Sequence, residues 1–315
     1  MKIFVRAAIH PDAIALLSAD SRVETIRWDE AGIETWAEEA DAVIIRGMEM
    51  SGDDIRRCKK LRVIGRHGAG VDAVDLDVAR ELGIKVINTP HENSQSVAEL
   101  AVGFMIASGR RMLEANNFVR DGKWAEGRKG KGNIELFQHT VGFVGFGRIA
   151  RMCATILQGF SMKIRAYDPF ITNDQWAEMN DFVTPCKTLE ELFASCTYIS
   201  IHVPKTKETQ GIINAKLFAG AKKGLVLINT ARGGVVDEVA LYNAMKDGTV
   251  RAAAFDVFED EPLDPGSPLL TMPGFLATPH YAGSTEECLQ RVATACARET
   301  LAALFDEENP AYRYL

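Results

Sequence analysis

The stretch Thr140-Val-Gly-Phe-Val-Gly145-Phe-Gly147-Arg148-Ile149-Ala150 constrains this chain more than any other, because a β-rich run passes straight into a GxGxxA turn. Apolar residues at Ile149, Met152, Cys153, Ile156, Leu157 and Phe160 follow at helical spacing, and a second β-rich run, Ile164 to Tyr167, ends at Asp168. The acid lies 23 residues past Gly145. Strand, glycine turn, helix, strand and terminal acid at that spacing form a dinucleotide-binding βαβ unit. Gly145 permits the tight turn. Gly147 lets the backbone approach a pyrophosphate at the positive end of the helix that Arg148 and Ile149 open. Asp168 can accept hydrogen bonds from both ribose hydroxyls and repels a 2′-phosphate, so the expected cofactor is NAD rather than NADP.

The rest of the chain repeats this alternation. Short β-rich runs at Ile3 to Val5, Val23 to Ile26, Ala42 to Ile45, Arg62 to Ile64 and Lys85 to Ile87 are separated by helical segments, which predicts a parallel sheet covered by helices. A second series places strands at Val141 to Val144, Ile164 to Tyr167, Tyr198 to His202, Leu225 to Asn229, Ala252 to Phe255 and Phe275 to Ala277. Between them lies a helix starting near Val97 that is apolar on all sides. Such a helix must be buried on all sides, and we read it as leaving one domain for the other and packing against a second subunit. The segment from Thr285 to about Phe305 is helical and has no sheet of its own, so it returns to the N-terminal domain. The expected fold is α/β with two doubly wound parallel-sheet domains: a Rossmann domain at 96–284, inserted in a flavodoxin-like substrate domain made of 1–95 and 285–315. A length of 315 residues suits about two domains.

Composition excludes other classes. With 47% hydrophobic and 25% charged residues the chain has the balance of a folded globular protein, not of a disordered, collagenous or disulfide-scaffold one. A net charge of −7 repels phosphate backbones and anionic lipid heads, so neither nucleic acid nor membrane is an expected partner. The longest apolar stretch, Leu100 to Ala107, is far short of the roughly 20 residues that span a bilayer. Met1 to Ile9 carries Arg6 inside its apolar patch and meets Pro11, so it reads as a first strand rather than a signal peptide. Six cysteines (Cys58, Cys153, Cys186, Cys196, Cys288, Cys296) have neither CxxC nor metal-ligand spacing, which suits reduced thiols in a cytoplasm and no metal.

Several further segments occur in one order: Gly68-Ala-Gly-Val-Asp72, Asn88-Thr-Pro, Ser96-Val-Ala-Glu99, His202-Val-Pro204, Asn229-Thr-Ala-Arg232-Gly-Gly, Asp256-Val-Phe-Glu-Asp-Glu261-Pro and Thr278-Pro-His280-Tyr-Ala-Gly283. With the glycine turn they make nearly the whole chain resemble the D-2-hydroxyacid dehydrogenase family, which includes phosphoglycerate dehydrogenase, hydroxypyruvate reductase and D-lactate dehydrogenase. The resemblance implies that Arg232, Glu261 and His280 form the catalytic set, and the chemistry agrees. Oxidising a 2-hydroxy acid needs a base for the hydroxyl proton, and imidazole titrates in the useful range. A carboxylate beside the ring fixes its tautomer, and a guanidinium grips a carboxylate bidentately. It also implies cofactor contacts at Val203, Pro204, Thr209, Thr230, Ala231, Asp256 and Gly283. The substrate carboxylate falls to backbone N–H groups of Ala69, Gly70 and Val71, with Arg46 facing the substrate. His67, His91 and the basic loop Arg128 to Lys131 are expected near the same cleft. His10 and His139 carry no motif and are expected to be structural or exposed.

The expected activity is reversible hydride transfer between NAD and a short 2-hydroxy or 2-keto acid with a polar or anionic group at carbon 3. Hydroxypyruvate or glyoxylate reduction is the alternative. A corepressor-like NAD-sensing role is disfavoured because no long low-complexity tail is present, and a formate dehydrogenase relationship because that group resembles this one with glutamine in place of Glu261. Only 35 residues follow His280, so feedback control by serine is not expected. A homodimer is.

Overall fold

The computed structural model describes residues 1–130, 132–179 and 181–315. The chain divides into two compact units, Met1–Ser96 with Gly283–Leu315, and Val97–Ala282.

The first unit is built on five parallel strands, β1 (Lys2–Val5), β2 (Glu24–Arg27), β3 (Ala42–Ile45), β4 (Val63–Arg66) and β5 (Lys85–Ile87), in the order β2-β1-β3-β4-β5. The inner strands β1, β3 and β4 are short and mostly apolar because both faces are covered, whereas the edge strand β2 (Glu-Thr-Ile-Arg) is mostly polar. Phe4, Val43, Ile45 and Ile64 pack on one side with Ile55, from the helix Gly52–Arg57. Ile3, Val5, Ile44, Val63 and Ile87 pack on the other against Ala293, Cys296, Ala297 and Leu304 of the C-terminal helix Glu286–Leu304. Each large aliphatic side chain buried this way contributes about 1.5–3 kcal/mol. The helix that lacks a sheet of its own therefore docks on the N-terminal sheet. Beyond it the chain returns along the outer side of β5. The Asn88 amide donates to Tyr312 O (3.0 Å), the Tyr314 amide to Val86 O (2.8 Å) and the Val86 amide to Leu315 O (3.0 Å). The Tyr312 hydroxyl donates to Glu92 (2.5 Å), and this bond, with burial, pushes the phenol above its ordinary pKa.

The second unit holds seven parallel strands: β6 (Thr140–Val144), β7 (Lys163–Tyr167), β8 (Thr184–Pro185), β9 (Tyr198–Ile201), β10 (Leu225–Asn229), β11 (Val250–Phe255) and β12 (Phe275–Ala277). Their order is β12-β11-β10-β9-β6-β7-β8, the doubly wound arrangement in which the order reverses between β6 and β9. β8 has no counterpart among the sequence-expected strands. It is two residues long and contains Pro185, which only a sheet edge accommodates.

The helix Ser94–Gly109 begins in the first unit and runs on into the second. It differs from the expectation of burial on all sides. Ala98, Ala101, Val102, Phe104 and Met105 enter the core of the second unit, whereas Glu99 and Gly103 are exposed and Leu100, Ile106 and Ala107 only partly covered. Most of its apolar surface is satisfied within its own chain. Exposed apolar side chains lie instead on the next two helices, at Met112, Leu113, Val119 and Trp124.

Candidate active site

At the order reversal of the second sheet, β6 leads into Gly145 (φ +82°). A Cβ there would lie 2.7 Å from the His202 carbonyl oxygen at the end of β9. Only glycine lets these two strand ends converge. Gly147 is the N-cap of the helix Arg148–Gln158 and brings no capping side chain, and a Cβ on it would meet nothing within 4 Å. The first-turn amides of Arg148 and Ile149 thus open onto free space at the positive end of the helix, where a pyrophosphate is favoured. Asp168 follows β7, and its two oxygens accept from the Phe146 amide (2.9 Å) and the Phe170 amide (3.0 Å). Each carboxylate oxygen keeps a further lone pair for a ribose hydroxyl. Thr230 adds a buried hydroxyl with no hydrogen-bond partner among the described residues. An open helix terminus, an anchored acid and an orphaned hydroxyl, each following the C-terminal end of a strand of this sheet, fit a dinucleotide.

Val203 and Pro204 follow β9, and the Thr209 hydroxyl closes that turn by donating to Pro204 O (2.6 Å). The Ala231 amide donates to Asn229 Oδ1 (3.1 Å). His202 bonds Ser200 through Nε2 (2.8 Å), and burial pushes its imidazole down to about 3. Asp256 is fully buried. Gly283 lies in the other unit, 3.7 Å from Asn93 when given a Cβ.

The three catalytic candidates all belong to the second unit. His280 Nδ1 lies 2.7 Å from Glu261 Oε2, while Glu261 Oε1 accepts from the Phe258 amide (3.0 Å). These side chains remain 54% and 37% exposed, so the pair is reachable from solvent. Arg232 donates to Ala231 O (2.7 Å), and Asn229 Nδ2 donates to Arg232 O (3.0 Å). Its loop touches the loop of Glu261 directly. A Cβ on Gly233 would lie 1.6 Å from Phe258 O, a distance no side chain tolerates. Glu238 also holds the Glu261 loop, accepting from the Glu259 amide (2.8 Å), and burial with neighbouring Glu259 and Asp260 raises its pKa. Sequence reasoning missed Glu238, since a contact spanning 21 residues leaves no local pattern.

In the first unit, the segment after β4 is fixed by the Gly68 amide donating to Thr89 Oγ1 (3.0 Å), the Thr89 amide to Gly68 O (3.0 Å) and Asn88 Nδ2 to Ala69 O (2.7 Å). No protein acceptor takes the amides of Ala69, Gly70 or Val71 among the described residues. Arg46 follows β3 and donates to Ala8 O (3.3 Å). His67 is buried. Desolvation, with the charges of Arg46 and Arg66, pushes it down to about 4, and its Nε2 has no hydrogen-bond partner among the described residues. Arg46 and His67 are thus close enough to interact, whereas His91 is exposed. Arg128 and Lys129 are exposed on the second unit, and Lys131 lies outside the described residues. His10 caps the helix Pro11–Ser18 and His139 bonds Thr197. Among the described residues no helix is long and apolar enough to cross a membrane, and no three metal-ligating side chains converge.

Comparison with known proteins accounts for this arrangement. Residues 102–282 match the D-isomer specific 2-hydroxyacid dehydrogenase, NAD binding domain. The chain is 39% identical over 302 residues to D-3-phosphoglycerate dehydrogenase of Methanocaldococcus jannaschii, covering 95% of this chain and 56% of that protein. It is 41% identical over 258 residues to hydroxypyruvate reductase of Thermotoga maritima, covering 81% of each. A glyoxylate reductase from Paecilomyes thermophila superposes with a TM-score of 0.88 at 25% identity, covering 100% of this chain and 98% of that one. The chain spans about half the length of the phosphoglycerate dehydrogenases it matches. With the glycine turn, the anchored acid and the Arg232, Glu261 and His280 loops on one sheet, it belongs to the D-isomer specific 2-hydroxyacid dehydrogenase family and carries that family's NAD-binding domain.

Proposed function

We propose that the chain is an NAD-dependent D-2-hydroxyacid dehydrogenase acting on a short 2-hydroxy or 2-keto acid with a polar or anionic group at carbon 3. The observation that carries this reading is the His280–Glu261 pair at 2.7 Å beside the Arg232 loop. Gly145, Gly147, Arg148, Ile149, Asp168 and Thr230 would hold the dinucleotide, which when bound supplies or accepts the hydride at carbon 2. His280 gives a proton to the carbonyl oxygen in reduction and takes it back in oxidation. Glu261, on Nδ1, keeps Nε2 as the nitrogen that exchanges it. Arg232 offers a fixed fork of donors to the substrate's carboxylate and carbonyl. Within the first unit, the resemblance makes the amides of Ala69, Gly70 and Val71 candidates for a carboxylate and Arg46 a candidate for a charge-assisted bond to a polar substituent.

A panel of phosphohydroxypyruvate, sulfopyruvate, hydroxypyruvate, glyoxylate and pyruvate with NADH tests this. Phosphohydroxypyruvate or sulfopyruvate should lead, and Arg46→Ala should raise their KM far more than that of glyoxylate. Preference for pyruvate would make the pocket apolar and sink the substrate assignment. His280→Asn should lower kcat by about 10²–10⁴. Hydroxypyruvate or glyoxylate reduction is the second reading, favoured by the names of two of the relatives above. We also propose a cytoplasmic homodimer. The six cysteines are free, buried thiols, and covering exposed Met112, Leu113, Val119 and Trp124 favours self-association. Light scattering at micromolar protein should give twice 34.6 kDa.

A further inference from the structure

The peptide that joins Phe258 to Glu259 is held at both ends. Its carbonyl lies against Gly233, where a Cβ would come within 1.6 Å of the oxygen, and its N–H, on Glu259, donates to Glu238 Oε1 (2.8 Å). The amide one residue earlier, on Phe258, donates to Glu261 Oε1 (3.0 Å), and Glu261 Oε2 lies 2.7 Å from His280 Nδ1. Two carboxylates thus take two successive amides of one loop. Glu238 reaches that loop from a fixed base, as the first residue of the helix Glu238–Lys246, whose N-cap Asp237 accepts from the Ala240 amide (2.9 Å) and whose Leu241, Ala244 and Met245 enter the core. The loop itself is open, with Glu259, Asp260 and Glu261 all exposed. Burial, then the charges of Glu259 and Asp260, raise the Glu238 carboxyl above its ordinary pKa. The position uses an acceptor while disfavouring a charge.

We propose that Glu238 is a positioning residue: by accepting the Glu259 N–H it fixes the Phe258–Glu259 peptide, aims the Phe258 N–H at Glu261 Oε1 and so leaves Oε2 for His280 Nδ1. It acts on the reaction through Glu261 rather than by touching substrate or cofactor. The inference rests on the dehydrogenase reading above for its kinetic consequence, though not for its geometry. Glu261 needs such support, because its side chain is 37% exposed and an exposed carboxylate–imidazole contact alone holds a side chain weakly against water. The Gly233 contact limits the peptide on its carbonyl side only. What the other side requires is an acceptor at the reach of a glutamate, which a glutamine also supplies and an aspartate, one methylene shorter, does not.

The test compares Glu238→Gln, which keeps the reach and loses the charge, with Glu238→Asp, which keeps the charge and loses the reach, and with Glu238→Ala. Glu238→Ala and Glu238→Asp should each lower kcat for keto-acid reduction about tenfold and leave KM and NADH Kd within about threefold, the pattern of an interaction expressed in the transition state. Glu238→Gln should keep at least about half of the wild-type kcat, because its carbonyl still accepts. In a Glu261→Ala background, Glu238→Ala should cost less than about twofold more, since residues that act through one another do not add. The ¹⁵N signals of the His280 ring should move in Glu238→Ala toward those of Glu261→Ala and stay in place in Glu238→Gln. A glutamine variant as impaired as the alanine one, equal losses in both backgrounds, or unmoved His280 signals in Glu238→Ala would overturn the proposal. Should Glu238→Ala not fold, the comparison of Glu238→Gln with Glu238→Asp carries the same decision. If the wild type reduces no 2-keto acid, the dehydrogenase reading fails, and the ring signals alone decide the positioning role.

Discussion

At the residue scale, the proposed chemistry uses side chains whose freedom has been removed by backbone amides. Asp168 is the clearest case. Bonds from Phe146 and Phe170 to its two oxygens leave it no rotamer in which to avoid a 2′-phosphate. We predict that kcat/KM with NADH exceeds that with NADPH by at least about 10²-fold, since an unrelieved like-charge contact costs several kcal/mol and each 1.4 is tenfold. Asp168→Ala should narrow that ratio by at least tenfold, and equal use of both cofactors by the wild type would refute the assignment. Arg232, Glu261, His280 and Asp168 stand out as candidates in the sequence because the first three lie within motifs and the last ends a β-rich run. The left-handed backbone of His280 does not, since nothing in Thr-Pro-His-Tyr-Ala-Gly encodes it locally. Its amide bonds the Asp256 carbonyl two dozen residues earlier.

At the scale of elements, two loops meet because one position lacks a side chain. Gly233 sits against Phe258 O so closely that a methyl group would overlap it. Gly233→Ala must therefore push the Arg232 loop away from the Glu261 loop. We expect kcat/KM to fall at least about 10²-fold and unfolding stability to fall by about 1–3 kcal/mol, measured by steady-state kinetics and thermal melting. Unchanged kinetics would show that the loops need not touch. Strands and helices were legible wherever apolar periodicity was strong, as in β3, β5, β10 and β12. The signal failed at β8, two residues with a proline, and at the helix Ser94–Gly109, whose all-round apolar character says that it is covered but not by what. Much of that cover proved to be its own chain.

For the whole molecule, acid should weaken the fold. Burial and the charges of Arg46 and Arg66 depress His67 to about 4 from the ordinary histidine value of 6.5, and burial depresses His202 to about 3. Between pH 6.5 and 4 the unfolded chain binds protons that the folded one refuses, so stability present above pH 6.5 is lost as the pH falls. For His67 this amounts to about 3 kcal/mol. Denaturant unfolding from pH 7 to 4.5 should show this decline, less steep in His67→Gln, and an identical slope in the variant would exclude His67 as its source. The overall architecture was readable because two series of alternating strands and helices, each with its own apolar runs, allow few other arrangements. The termination of the first sheet was not readable. Tyr312 to Leu315 lie along β5 and occupy hydrogen-bonding groups of Val86 and Asn88 that a bare edge would present to solvent. Those same groups, once released, would form a template for strand addition from another molecule. Tyr312 to Leu315 therefore cover the groups from which such addition would start, a role that no activity assay would register.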